Sequence, residues 1–240
     1  KLIGFIWIGR KSEISRKELR LISAVTDIAA NAIYRSTLHE QTQKTAAELA
    51  EAYETTLEGW AQALELREHE TAGHSKRVIK YTVSLAKAFG YNGKDLINIR
   101  RGASLHDIGK MGIPDEILLK KGPLTAQEWK VMRKHPIYAY RLLSRIPYLT
   151  PALDIPYYHH EKWDGTGYPN GLKGTEIPLP ARIFSVIDVW DALSSNRPYR
   201  KAWPPDQVVQ YLKDQAGKQF DPDIVNTFIN LILKQSNTGK

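Results

Sequence analysis

The sequence predicts an all-α domain that follows a short strand–helix segment and one long helix. Beyond residue 10, almost no stretch alternates apolar and polar residues with period two, the pattern of a half-buried strand. Apolar residues instead recur at steps of three and four, and helix-start signals precede several of these stretches. Residues 37–67 contain no proline and a single glycine, Gly59, which predicts a long uninterrupted helix.

The first 36 residues are predicted to form a strand, a turn and the beginning of that helix. Residues 1–9 are mostly apolar and predict the strand. Ser15 and Glu18 have the spacing of a capping box, in which each side chain bonds a free backbone N–H of the first helical turn. If the helix is unbroken from Ser15 to Arg67, it measures roughly 80 Å at 1.5 Å per residue.

Apolar residues in the second half of this helix approximate a heptad seam, with steps of four, four, three and four. They are Leu49, Tyr53, Leu57, Trp60 and Leu64. Two interpretations remain open at this point. The seam pairs two chains in a signalling helix, or it belongs to a single amphipathic helix packed on its own domain.

Beyond residue 68 the sequence predicts shorter helices separated by breaks. Thr125 and Glu128 predict a second helix cap, and Pro136 suits a first helical position, which puts His135 at the preceding break. Residues 164–174 contain four glycines and a proline and predict a loop. The predicted helical stretches are 77–88, 95–110, 125–134 and 181–193.

Composition excludes several classes of protein. The chain has 240 residues, no cysteine and a formal net charge of +8. It therefore has no disulfide and no thiol nucleophile. The sequence also contains no apolar run of about 18 residues, the length that would predict a membrane helix. The charge fits either lysine-rich solvated helix faces or an anionic partner, but no nucleic-acid-binding motif is present. We expect a cytoplasmic protein that does not bind nucleic acid.

Histidines and carboxylates recur over some 120 residues and predict a metal site. Imidazole and carboxylate groups bind borderline divalent metals, and eight of them exceed the needs of one ion, so a polynuclear site is expected. Five of the seven histidines belong to this set. The candidate ligands are Glu70, His74, His106, Asp107, His135, His159, His160 and Asp188.

Four of these residues carry the argument from spacing and side-chain chemistry. Glu70 and His74 share one face if they lie on a helix, and the Asp107 carboxylate can bridge two cations, one on each oxygen. Asp188 lies in an apolar helical stretch, where an unpaired aspartate would cost several kcal/mol. Structural alternatives are a salt bridge or a helix cap for Glu70, and capping of a neighbour or pairing with Arg182 for Asp188.

The motifs around these ligands resemble the HD-GYP family, a branch of the HD superfamily of metal phosphohydrolases. The resemblance covers roughly residues 68–230. The matching motifs are His106-Asp107-Ile108-Gly109-Lys110, His159-His160-Glu161, the loop from Asp164 to Gly171, Ile177-Pro178, Ala181-Arg182-Ile183, the stretch from Asp188 to Leu193, Arg197-Pro198-Tyr199-Arg200 and Phe220-Asp221-Pro222.

The resemblance implies an all-helical HD-domain bundle that hydrolyses cyclic di-GMP to linear pGpG, and in many members on to GMP. It implies two or three divalent ions held by the candidate ligands, with Glu70 marking members that hold a third ion. Neutral imidazoles, carboxylates and the absence of thiolates favour iron or manganese, and nickel, cobalt and zinc are also compatible with these ligands. Two other hypotheses about the function compete with hydrolysis of cyclic di-GMP. They are a module that binds cyclic di-GMP without hydrolysis, and a hydrolase of another cyclic dinucleotide.

Further site residues follow from this interpretation. We expect a hydroxide bridging the metals to attack phosphorus, with Asp107 and Lys110 as catalytic residues. Lys110 is placed to meet a phosphate oxygen, and Arg197 and Arg200 to hold the second phosphate or a guanine edge. The loop of Gly167, Tyr168 and Pro169 is expected to form a wall of the substrate pocket.

A second, weaker resemblance concerns the N-terminus, where the strand and capped helix are similar to the C-terminal end of a GAF sensor domain. The sequence thus divides into a sensor remnant (1–36), a linker helix (37–67) and an HD-GYP phosphodiesterase domain (68–240). This organisation implies a homodimer through the linker helix and a diguanylate cyclase (GGDEF) partner.

Overall fold

The structure is a computed structural model that describes residues 7, 9, 11–68, 73–196 and 200–238, with side chains up to Leu233. Most of the predicted strand 1–9 lies outside these residues. The chain forms two compact units, residues 1–56 and residues 57–240. No described helix is long and apolar enough to cross a membrane.

Helix α1 (Arg16–Glu68) begins at the predicted cap and runs from the first unit into the second. The Ser15 backbone N–H donates to the Glu18 carboxylate at 2.9 Å, and the Glu18 N–H donates to Ser15 Oγ at 3.3 Å, so the capping box is confirmed. Several apolar side chains of α1 in the first unit are more than half exposed: Leu19, Val25, Ile28, Ile33, Leu38, Leu49 and Tyr53.

The regular elements of the second unit are all helices in its described residues, which confirms the all-α prediction. Strand content is confined to isolated bridges such as that between Ala216 and Phe220. Three-residue-turn (3₁₀) helices span Ile108–Gly112, Pro147–Ala152 and Gly174–Glu176. The α-helices are α2 (His74–Ala88), α3 (Gly93–Ser104), α4 (Asp115–Leu118), α5 (Ala126–Met132), α6 (His135–Leu143), α7 (Asp154–Tyr158), α8 (Leu179–Ser194), α9 (Pro205–Gln215) and α10 (Pro222–Thr238).

The sequence prediction of one helix over 95–110 was wrong, because α3 ends at Ser104. In a continued α-helix the Ala103 carbonyl would accept the N–H four residues later, that of Asp107. The Nδ1 atom of His106 lies 2.9 Å from that carbonyl oxygen instead. The chain turns there and continues as the 3₁₀ helix Ile108–Gly112.

Two apolar clusters surround the residues that form the site. The larger joins α2, α3, α8, α9 and α10 around Phe184, Phe220 and Phe228. The smaller packs Leu57 of α1 against residues that include Leu105 and Ile108. Leu57 and Leu64 are each only 7% exposed, so this end of the seam packs on its own domain.

Candidate metal centre

Five segments of the second unit each carry candidate ligands to one place. His74 is the first residue of α2, and His135 is the first residue of α6. His106 and Asp107 lie in the turn after α3. The remaining ligands are His159 and His160, which follow α7, and Asp188, in the middle of α8.

The candidate ligands form two groups, each compact enough to hold a divalent ion. The first contains Asp107, His135, His159 and His160, and the second contains His74, His106 and Asp188. Within each group the ligand atoms lie within 4.8 Å of one another. Glu70 lies outside the described residues.

The Asp107 carboxylate lies between the two groups. Its Oδ1 atom is 3.3 Å from His135 Nε2 and 3.6 Å from His159 Nε2. Its Oδ2 atom is 3.0 Å from His106 Nε2. One oxygen thus faces each group, which is the arrangement that a bridging carboxylate needs.

Backbone carbonyl groups set the tautomers of three histidines. Each Nδ1 atom lies 2.9–3.0 Å from a carbonyl oxygen, and a carbonyl oxygen only accepts, so Nδ1 carries the proton. The Nε2 lone pair is then directed to the site, as in most metal-bound histidines. The pairs are His106 with Ala103, His135 with Met132, and His159 with Ile155.

This arrangement leaves individual buried acceptor atoms without a donor and fits bound cations. His106 Nε2 and Asp107 Oδ1 are buried, and neither has a hydrogen-bond partner among the described residues. His135 Nε2 and His159 Nε2 lie only 3.4 Å apart beside the same carboxylate. Buried acceptors are costly unless a cation or a proton lies between them.

Electrostatics in the centre favour a positive charge near His106 and neutral rings at His159 and His160. Burial lowers the pKa of His106, but Asp107 and Asp188 outweigh it and raise the pKa to about 9. Burial lowers the pKa of His159, and burial together with neighbouring histidines holds the pKa of His160 well below its ordinary value. Neutral imidazole is the form that binds metals.

Lys110 lies against the bridging carboxylate. Its Nζ atom is 2.7 Å from Asp107 Oδ2 and 3.0 Å from Glu68 Oε2. Burial raises the pKa of the Asp107 carboxyl, but Lys110 and His106 outweigh it and lower the pKa well below its ordinary value. Asp107 is therefore ionised at neutral pH, as a metal ligand must be.

The sequence analysis missed the two residues that orient His74. Its Nδ1 atom lies 2.8 Å from Asp191 Oδ2, and Arg77 holds both oxygens of that carboxylate, at 2.6 and 2.9 Å. Burial raises the pKa of Asp191, but the bonds from His74 and Arg77 lower it overall. Because Asp191 follows Asp188 by one helical turn, their shared face was the available signal.

The predicted loop packs directly on the centre. The Tyr168 ring stacks on the His160 ring, with centroids 4.7 Å apart, and its N–H donates to the His160 carbonyl at 3.2 Å. A Cβ atom on Gly167 would lie 2.3 Å from Lys162 N, so only glycine allows this approach. Pro169 follows through a cis peptide bond, and the Glu161 carboxylate accepts the Asn170 N–H at 2.7 Å.

Of the two arginines expected at the substrate, the structure describes Arg200. Arg200 donates to the carbonyl groups of Ala192 and Leu193 at the end of α8 and lies over Trp203. Arg197 lies outside the described residues. Arg182, the alternative partner of Asp188, instead binds Asp221 at 2.7 Å.

Together, these features define an all-α protein with a buried histidine–carboxylate centre suited to divalent cations. The chain belongs to the HD domain family, whose model matches residues 58–224.

Similar proteins include three curated relatives. A 3'3'-cGAMP-specific phosphodiesterase 2 from Vibrio cholerae is 35% identical over 93% of this chain and 42% of its own length. The cyclic di-GMP phosphodiesterase response regulator RpfG from Xanthomonas campestris is 41% identical over 76% of this chain and 49% of its own. A cyclic di-GMP phosphodiesterase from Thermotoga maritima is 40% identical over 79% of this chain and 53% of its own length. The chain spans about half the length of these relatives.

Two solved structures share the fold. A HDG"Y"P protein from Bdellovibrio bacteriovorus has a TM-score of 0.54 at 24% identity and covers 67% of this chain and 51% of its own. The HD domain of the Listeria monocytogenes phosphodiesterase PgpH, solved with cyclic-di-AMP, has a TM-score of 0.51 at 15% identity. The match covers 75% of this chain and 97% of that domain's chain.

Proposed function

We propose that this chain is the catalytic part of an HD-GYP phosphodiesterase that hydrolyses cyclic di-GMP to pGpG. The observation that carries the proposal is the Asp107 carboxylate between two groups of ligands, with one oxygen toward each. Asp107 would hold two divalent ions close together, and such a pair of ions would clamp a phosphodiester for in-line attack. The names of the curated relatives support this substrate class.

The proposed ligands are His74, His106, Asp107, His135, His159, His160 and Asp188, with Glu70 for a third ion. When bound, divalent ions polarise phosphoryl oxygens and activate water for attack on phosphorus. Neutral imidazoles, carboxylates and the lack of thiolates favour iron or manganese.

The chain's own side chains supply orientation and charge in the proposed reaction. The carbonyl-bonded Nδ1 atoms hold the imidazoles of His106, His135 and His159 in one tautomer. Lys110, beside Asp107, binds a non-bridging phosphate oxygen as a point charge. Burial and the Asp107 carboxylate raise the pKa of Tyr168, so its hydroxyl remains a hydrogen-bond donor at the pocket wall with Gly167 and Pro169. Arg197 and Arg200 complete the proposed substrate contacts.

A second candidate substrate is 3'3'-cGAMP. The relative named for that substrate matches 93% of this chain, a larger share than either cyclic di-GMP relative above. Both nucleotides present two 3',5'-phosphodiesters to the metals and differ in one base, so the same centre would act on either.

The test is hydrolysis by protein loaded anaerobically with iron or manganese, with cyclic di-GMP and 3'3'-cGAMP in parallel. We expect pGpG from cyclic di-GMP, followed by GMP if the linear product rebinds. Turnover of 3'3'-cGAMP alone would support the second candidate. Tight binding without turnover by metal-loaded protein would instead support a non-hydrolytic binding module.

The number of ions depends on Glu70. We expect metal analysis to find three ions per chain in the wild type and two in Glu70→Ala, because the other ligands are untouched. Two ions in both proteins would contradict the trinuclear interpretation and leave the binuclear centre intact.

The proposal extends to the N-terminal segments. We infer that residues 1–36 end a GAF-like sensor domain, that 37–67 form a linker helix and that 68–240 form the phosphodiesterase domain. The exposed apolar side chains of α1 support a homodimer through this helix, and a GGDEF diguanylate cyclase remains a proposed partner. Since the chain lacks cysteine, oxidation of Leu49→Cys protein should yield a cross-linked dimer without background.

A further inference from the structure

The last turn of α1 bonds to two of the segments that carry the proposed ligands. The Glu65 carboxylate accepts the Ser75 N–H at 3.0 Å, next to His74 at the beginning of α2. The Glu68 carboxylate pairs with Lys110 at 3.0 Å. The helix end is therefore part of the framework around the metal centre.

Arg67 makes most of the contacts of this turn. Its guanidinium donates to the carbonyl oxygens of Lys110 at 3.2 Å, Met111 at 3.1 Å and Ile113 at 2.8 Å. It also bonds Asp115 Oδ1 through Nε at 3.1 Å and Nη2 at 2.6 Å. One side chain of α1 thus binds four residues of the segment 110–115, which begins three residues after the bridging ligand Asp107.

These contacts limit the positions that Asp107 and Lys110 can take. Both belong to the short 3₁₀ segment around Ile108–Gly112, and such turns have poorer hydrogen-bond geometry than an α-helix. A planar guanidinium presents five N–H donors in a fixed fork spread over three nitrogens, whereas an ammonium group presents three donors from a single nitrogen.

We propose that Arg67 is a positioning residue for this centre: by clamping residues 110–115 it fixes Asp107 and Lys110 relative to the histidines. The inference rests on the proposed function for the roles of Asp107 and Lys110. It adds a residue outside the ligand motifs and makes the end of the linker helix a structural part of the site.

The test compares Arg67→Met with Arg100→Met, whose arginine also pairs with an α1 carboxylate, Glu58, at 3.7 Å. Manganese affinity is measured by titration, with melting temperatures of the metal-free proteins alongside. We expect Arg67→Met to weaken manganese binding about 10–100-fold, the range for residues that orient metal ligands. Arg100→Met should bind as the wild type does.

Arg67→Lys keeps the positive charge but loses the forked set of N–H donors. We therefore expect its manganese affinity to lie between those of Arg67→Met and the wild type. If Arg67→Met does not fold, the manganese affinity of Arg67→Lys is compared with that of the wild type instead. Wild-type manganese affinity in a folded Arg67 variant would overturn the proposal, even if its melting temperature falls. Because manganese binding is read without nucleotide, failure of the wild type to hydrolyse cyclic dinucleotides would count against the proposed function alone.

Discussion

At the scale of single residues, the centre depends on where each imidazole places its proton. Three histidines donate Nδ1–H to carbonyl groups, and His74 pairs through Nδ1 with Asp191. Each of these four rings therefore turns Nε2 toward the site. Asp107 then has a histidine Nε2 atom beside each of its oxygens, an arrangement that a cation stabilises.

We predict that Asp107→Asn loses manganese and lowers turnover by more than about 100-fold, because an amide cannot act as a bridging anion. Changes to residues that only orient metal ligands cost about 10–100-fold, and we expect the loss of a ligand itself to cost more. Metal analysis and the hydrolysis assay measure both effects. Asp95→Asn makes the same substitution on an exposed carboxylate of α3 and should change neither. Retained metal and activity in Asp107→Asn would mean that the bridging ligand is wrongly assigned.

At the scale of elements, the centre requires a close approach between the 3₁₀ helix Ile108–Gly112 and α6. A Cβ atom on Gly109 would lie 1.8 Å from the His135 carbonyl oxygen and 2.5 Å from Ala139 N. Gly109 thus lets α6 bring His135 within 3.3 Å of Asp107. No flexible side chain can yield there, because both neighbours are backbone atoms.

We predict that Gly109→Ala lowers the free energy of unfolding by about 3 kcal/mol, which is the upper part of the range for overpacked cores. We also expect it to weaken manganese binding, because the new methyl group pushes against the backbone of His135. The matched control is Gly59→Ala on the exposed face of α1, where nothing lies within 4 Å of the new methyl group. Alanine there should raise the free energy of unfolding by about 1 kcal/mol. Denaturant unfolding measures both, and equal stability of the two variants would contradict this account of α6.

At the scale of the whole molecule, the proposed ligands come from five segments spread over more than a hundred residues. Ions bound to them would cross-link α2, α6, α8, the turn after α3 and the residues after α7. Metal binding to such ligands is coupled to folding, because the unfolded chain does not assemble the site.

We predict that manganese raises the melting temperature of the wild type and that chelator lowers it to the metal-free value. At a free concentration of 100 times Kd, one site adds about 2.7 kcal/mol to the free energy of unfolding. Calcium, which prefers oxygen ligands, should stabilise much less at the same concentration. A melting temperature that manganese leaves unchanged would argue against a preformed centre.

The sequence by itself determined the all-α class, the caps at Ser15 and Thr125, the loop over 164–174 and the residue types of the centre. These follow from local spacing and side-chain chemistry, which need no knowledge of neighbours in space. Only the tertiary structure decided the end of α3 at Ser104, the proton positions on the histidines, and the contacts of Asp191 and Arg67. The physical reason is that the contacts of His74 with Asp191 and of Arg67 with Lys110 join segments far apart in the sequence. The proton positions on the other three rings depend on the backbone conformation three or four residues upstream, which residue types alone do not specify.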